Sequence, residues 1–178
     1  MSIPHAATPA KFFAGLITSR DELIGQASRT LARNLGTIDL ISERLAFNFT
    51  AYYEDEMGKG LFRRFLFFED LALPDRLSSI KKETDRIEEG LRGSTGRQVN
   101  IDPGYINSHQ VVLGTNKNYS HRIYLQDGVY ADLTLVYHEG NFRPLAWTYP
   151  DYSSPEVLKL LKQVRERYLL QLRGRSQV

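Results

Sequence analysis

Residues 11–18 (KFFAGLIT) are apolar at nearly every position. A half-exposed strand alternates in polarity, so an unbroken apolar run reads as a central strand covered on both faces. The rest of the chain must then supply cover for two faces of one sheet. Ser19, with Glu22 three residues on, has the capping-box pattern of a helix start. Leu23, Ala27, Leu31 and Leu35 form that helix's apolar stripe, and Gly36 its stop. Residues 38–49 read as a long, bent second strand with Glu43, Leu45, Phe47 and Phe49 on one face. A polar loop at 52–60 leads to a third strand at 61–68. Pro74 and Asp75 then open a second helix whose stripe is Leu77, Ile80, Thr84, Ile87 and Leu91. A Gly-rich link at 90–96 joins it to a strand at Val99.

That order is βαββαβ, the pattern of a ferredoxin-like core with the opening strand in the middle. Residues 107–114 fit a short helix or a further strand. Residues 121–137 form a hairpin about Asp127-Gly128, and Glu139-Gly140-Asn141 turns into a segment at 142–148. Ser154 caps a last helix with Pro155 at its first position and Val157, Leu161, Val164, Tyr168 and Leu172 as its stripe. A bare ferredoxin-like sheet leaves one face wet, so the C-terminal hairpins and helix are expected to cover it. The expected architecture is a single α+β domain at 11–173: a ferredoxin-like βαββαβ core extended by antiparallel hairpins and a C-terminal helix. Residues 1–10 are a flexible leader and 174–178 a flexible tail.

Composition narrows the function classes. The chain has 178 residues, a formal net charge of +2 and no cysteine, which removes disulfides, thiol catalysis and thiolate metal sites. A nearly balanced charge disfavours nucleic acid as a partner. No apolar run approaches the ~20 residues of a membrane span, and residues 1–10 lack the basic start and apolar core of a secretory signal. A cytoplasmic protein with no membrane partner is expected. Oligomeric state is not legible.

Candidate chemistry gathers in five places. In Val99-Asn-Ile-Asp-Pro-Gly-Tyr105, alternation puts Asn100 and Asp102 on one face and Val99 and Ile101 on the other. Asp-Pro-Gly then reads as a type II turn ending the strand, with Pro103 at its first corner and positive φ at Gly104. Glu54 and Glu56 form a carboxylate pair able to bind a substrate hydroxyl, though acidic runs in loops are commonly just solvated. Of the adjacent Arg63 and Arg64, one must point at a covered face and be paired there or meet an anion. Arg64 joins the candidate set, with Glu54, Glu56 and Asp102 as possible partners. Residues 115–124 concentrate Lys117, Tyr119, His121, Arg122 and Tyr124, a group suited to phosphate or carboxylate and to proton transfer. No second His stands at ligand spacing, so no metal site is expected. Residues 147–152 (WTYPDY) form a rigid aromatic loop in which Asp151 bonds the loop or the helix start. The Gly-rich link lacks the Gly-Lys-Ser/Thr ending and runs from helix to strand, so it is not a phosphate loop.

The segments Phe49-Thr50, Tyr52-Tyr53-Glu54, Glu56-Met57-Gly58, Arg64-Phe65, 99–105, Lys117 with 119–124, and 147–152 together resemble the prokaryotic domain-of-unknown-function family forty-four sixteen. The resemblance runs roughly from Lys11 to Leu172. It brings no activity, cofactor or catalytic residue with it. It marks the polar segments as the family's own pattern.

The favoured reading is a site for a small phosphate- or carboxylate-bearing metabolite, built from Glu54, Glu56, Arg64, Asn100, Asp102, Tyr105, Lys117, His121, Arg122, Tyr124 and Asp151. Asp102 or His121 is the acid–base candidate if a reaction is catalysed, and no cofactor can be named. Two other readings stand beside it: a structural hydrogen-bond network, and an RNA-binding sheet.

Overall fold

The computed structural model describes residues 3–50, 52–94 and 96–175. Strand β1 (Ala10–Thr18) is buried along its entire length. It lies between β4 (Phe62–Ala72) and β5 (Asn100–Ile106), antiparallel to both. β2 (Ile38–Ile41) and β3 (Leu45–Ala46) pair in tandem with the far side of β4. On the other side the sheet continues through β6 (Gln110–Thr115) to β8 (Val129–His138), whose outer edge carries β7 (Arg122–Gln126) and β9 (Asn141–Pro144). The pairing order is β2-β4-β1-β5-β6-β8-β7, and the pairings among these strands are antiparallel.

Helices cover both faces, as the unbroken apolarity of β1 requires. Phe12, Ala14 and Leu16 pack against Ile24, Ala27 and Leu31 of α1 (Asp21–Leu35). Leu77, Ile80 and Ile87 of α3 (Leu77–Gly90) join the same core. Phe13 points the other way, with Phe65, Phe67 and Ile106, onto Val157, Leu161 and Val164 of α4 (Pro155–Arg175). α2 (Glu54–Met57) is a single turn between β3 and β4. The fold is mixed α+β, antiparallel in its sheet, with a C-terminal helix. Among the described residues no helix is long and apolar enough to cross a membrane. The expected leader at 1–10 and tail at 174–178 reach into residues outside those described.

Several local expectations are corrected. The Asp-Pro-Gly turn does not form. β5 runs straight through Asp102, Pro103 and Gly104, and Gly104 is not among the positive-φ residues. Proline is tolerated because β5 pairs with β6 only over 104–106, so Pro103 lies where no β6 partner awaits an N–H. Gly104 is there for space. A Cβ would stand 2.7 Å from Phe13 Cζ and from the Val112 carbonyl oxygen.

The long strand expected at 38–49 is two short ones. Ser42 breaks it by substituting its hydroxyl for backbone: Oγ accepts from Phe65 N at 2.9 Å and donates to Glu43 O. Ser19 donates to Met57 O and does not cap α1, so the capping box is absent. Residues 107–114 take the strand alternative, with Asn107 Oδ1 accepting from His109 N and Gln110 N at the preceding turn. The polar loop at 52–60 contains the α2 turn. The hairpins extend the sheet, and α4 covers the second face.

Other expectations hold. Asp127 and Gly128 both have positive φ at the β7–β8 turn. Ser154 stands immediately before α4 and accepts from Val157 N.

Candidate functional site

β5 and β6 are neighbours for only part of their length. They pair over 104–106 against 111–113. Past that point β5 stays with β1 as far as Asn100, and β6 stays with β8 as far as Thr115. The sheet forks. A cleft of about 680 Å³ is lined by residues of both arms, by α3 from one face and by the 147–152 loop from the other.

One arm is organised by Arg63, on the α4 face of β4. Its Nε lies 2.8 Å from Asp151 Oδ2, Nη2 donates to Asp102 Oδ2 at 3.3 Å, and Nη1 donates to the Tyr152 hydroxyl at 3.3 Å. The guanidinium passes over Gly15, where a Cβ would come within 2.5 Å of Nη1. Burial works against the charge of Arg63, but Asp151, Tyr152 and Asp102 outweigh it and raise its pKa. Burial also lifts Asp151 above the usual carboxylate range, with Arg63 pulling the other way. Burial opposes charge on both members, and each member's charge favours the other's.

The other arm is organised by Asp132 on β8. Its Oδ2 accepts from Arg122 Nε at 2.8 Å and lies 3.3 Å from His121 Nε2. Arg122 also donates to Lys117 O and to the Tyr149 hydroxyl, each at 2.9 Å. The His121 ring is stacked between two others, with Trp147 at 5.0 Å and 15° and Tyr119 at 6.1 Å and 22°. Trp147 is fixed by its Nε1, which donates to Leu133 O at 2.8 Å.

Between the arms, at the start of β5, Arg97 donates to Glu56 Oε2 through Nε and Nη2 and to Asn100 Oδ1 through Nη1, at 3.0 Å. Asn100 is 6% exposed, and its Nδ2 has no hydrogen-bond partner among the described residues. Glu88 reaches up from α3 to accept from Ile101 N at 2.6 Å. Burial pushes its pKa up to about 7, against Lys81 and the Ile101 hydrogen bond. Lys117 lies on the rim with its Nζ over the Tyr52 ring at 5.1 Å, and no carboxylate pairs with it among the described residues. No group of three His, Asp or Glu side chains able to hold a metal ion occurs among the described residues.

Residues 8–168 match the family described as Domain of unknown function (DUF4416). The chain belongs to this family. No curated protein and no solved structure matches it. The segments by which the sequence resembles the family fall on both sides of the fork: β5 on one arm, residues 117–124 on the other, and the 147–152 loop across them.

Of the residues singled out from sequence, Asn100, Asp102, Lys117, His121, Arg122 and Asp151 line the cleft. Asp102 and His121 face the same cleft but are held by different arms. Glu56 stands behind Arg97. The others lie elsewhere. Glu54 is exposed on α2, and Arg64 turns to the opposite face, donating to Ser42 O. Tyr105 packs on Phe12 in the α1–α3 core, and Tyr124 is exposed against Tyr130.

Sequence reasoning did not place Asp132, Arg97 or Glu88. Asp132 carried a usable signal, a lone carboxylate in the apolar run of β8. Arg97 was hidden at the end of the Gly-rich link, where Gly93 and Gly96 exchange backbone hydrogen bonds. Glu88 looks like any polar residue of an amphipathic helix.

Proposed function

We propose that the cleft in the fork binds a small metabolite carrying a phosphate or carboxylate. The observation that carries this reading is Asn100. A buried amide with an unused donor costs about 1–3 kcal/mol, and Arg97 fixes the amide so that its oxygen is spoken for. A ligand acceptor at Nδ2 repays that cost. Lys117, free of a carboxylate partner among the described residues, supplies the charge for an anionic group at the rim.

The chain's only tryptophan lines the same cleft, so its fluorescence reports occupancy. Titration with inorganic phosphate, ribose 5-phosphate and succinate is expected to change the Trp147 emission saturably for at least one probe. Asn100→Leu should weaken that probe about tenfold while leaving stability within about 1 kcal/mol of the parent, since it removes an unsatisfied donor along with one Arg97 bond. If all three probes leave both fluorescence and calorimetry flat, the reading fails.

The order β2-β4-β1-β5, with α1 and α3 on one face, supports reading that half as a ferredoxin-like unit, because a βαββαβ chain places its first strand between its third and fourth. On this reading β6–β9 and α4 are the addition that creates the fork.

A further inference from the structure

Five exposed aromatic side chains, Phe49, Tyr52, Tyr119, Trp147 and Tyr149, line the cleft. They come from three separate segments: the stretch before α2, the loop before β7 and the loop after β9. Exposed rings cost free energy in water, and rings that converge on one concave site mark what that site contacts.

The arrangement around Trp147 is more specific. Tyr119, His121 and Trp147 form a near-parallel stack, with interplanar angles of 22° and 15°. The stack ends on an indole that is immobilised by its hydrogen bond to Leu133 O yet is 40% exposed. Among the described residues no further ring or cation lies against Trp147 beyond His121. A held, partly open indole at the end of a stack is a platform for one more planar ring.

Polar groups for the edge of such a ring lie on β5. Asn100 Nδ2 is an unused donor. Asp102, two residues on and on the same face, gives Oδ2 to Arg63, and its side chain is 30% exposed. A donor and an acceptor two residues apart on one face offer partners to a ring that carries both an acceptor and an N–H on its edge, as nucleobases do.

From these features we infer that the ligand is a nucleoside monophosphate: its base stacks on Trp147 and meets Asn100 and Asp102 with its edge, and its phosphate meets Lys117. The inference rests on the binding reading above and narrows it to a ligand with a heteroaromatic ring. The cleft's other cations are mostly committed to carboxylates, which suits one phosphate group and not a polyphosphate.

The test compares AMP, GMP and UMP with the parts of the molecule, adenosine and ribose 5-phosphate, by Trp147 fluorescence and calorimetry on the full chain. At least one monophosphate is expected to quench Trp147 and to bind about tenfold or more tightly than ribose 5-phosphate, the difference being the stacked base. Lys117→Ala should lower affinity for the monophosphate and leave nucleoside affinity unchanged. Trp147→Leu should lose about tenfold in calorimetry, and Trp147→Phe should retain most of the binding, which a purely structural role for the indole hydrogen bond would not allow. If ribose 5-phosphate binds as tightly as every monophosphate, the ring inference is overturned and the anion-binding reading survives. If adenosine binds and the phosphate adds nothing, the reverse holds. If no monophosphate binds, this inference is wrong whatever the other anions do. The wild-type comparison needs no variant, so a misfolded Trp147→Leu does not leave the question open.

Discussion

Two arginines hold the two arms of the fork, and they do so differently. Arg63 gives each nitrogen its own partner: the three face Asp151, Asp102 and Tyr152, and Gly15 clears the space it occupies. Arg122 is buried to a similar depth. Its carboxylate, Asp132, is shared with His121, and its remaining nitrogens reach the Lys117 carbonyl and the Tyr149 hydroxyl. Both grip the loop at 147–152, Arg63 from the Asp151-Tyr152 end and Arg122 from Tyr149. Trp147 and Thr148 bind β8 carbonyls at Leu133 and Thr134. The loop is therefore a strap across the split sheet. One end is held by a buried guanidinium shared among two carboxylates and a phenol, Asp102 among them being 30% exposed, and the other by a buried carboxylate shared between an arginine and a histidine. The first makes several groups depend on one buried cation. The second gives one buried carboxylate several donors.

The comparison breaks first at Arg63. Arg63→Met strands Asp151 and Tyr152 in a buried pocket and should cost about 3–5 kcal/mol, the range for removing one partner of a buried ion pair. Urea denaturation measures it. Arg63→Lys should rescue only in part, because the three partners are spread along the guanidinium fork and an ammonium is a single point of charge. Adding Asp151→Asn to Arg63→Met should recover part of the loss, since it removes the abandoned charge. Arg122→Met should cost less, about 1–3 kcal/mol, because Asp132 retains His121 and Thr134 as partners. Equal costs at the two positions would erase the distinction between a cluster that depends on one cation and a carboxylate that has several donors.

Legibility followed the same divide. The two-sided burial of β1 was written in its unbroken apolar run, and the faces of β5 in its alternation, because both depend on local periodicity. The Asp-Pro-Gly turn was misread because local turn chemistry cannot see that β6 diverges at Pro103. Once a strand has no partner on that side, proline carries no penalty and glycine answers to Phe13 and Val112. The choice between Arg63 and Arg64 failed for a related reason. Alternation says that the two oppose each other, but which of them faces the acidic loop depends on where α4 and Asp151 arrive, nearly ninety residues later. Ser42 is the same kind of case: its role as a stand-in for backbone exists only opposite Phe65. What the sequence hid, in each instance, was a partner distant in the chain.

The smallest expected effect sharpens the contrast from the α3 side. Glu88 is buried against the backbone of Ile101 at the floor of the cleft, with its pKa pushed up to about 7. Its ordinary value is 4.5, so between pH 4.5 and pH 7 the folded chain holds a proton that the unfolded chain has lost. The folded state gains from that proton below the unfolded value, and the gain disappears as pH rises through the folded one. Stability should therefore fall by about 1–2 kcal/mol between pH 4.5 and pH 8 through this group alone, after allowing for its partial contact with water and its coupling to Lys81 and Arg97. Glu88→Gln keeps an oxygen for the Ile101 N–H and cannot ionise. Denaturation at pH 5 and pH 8 should show it near the parent at the lower pH and more stable at the higher one. If the variant's advantage does not grow with pH, Glu88 is ionised in the folded chain throughout, and the floor of the cleft is as firmly committed to its own ion pairs as Arg63 is.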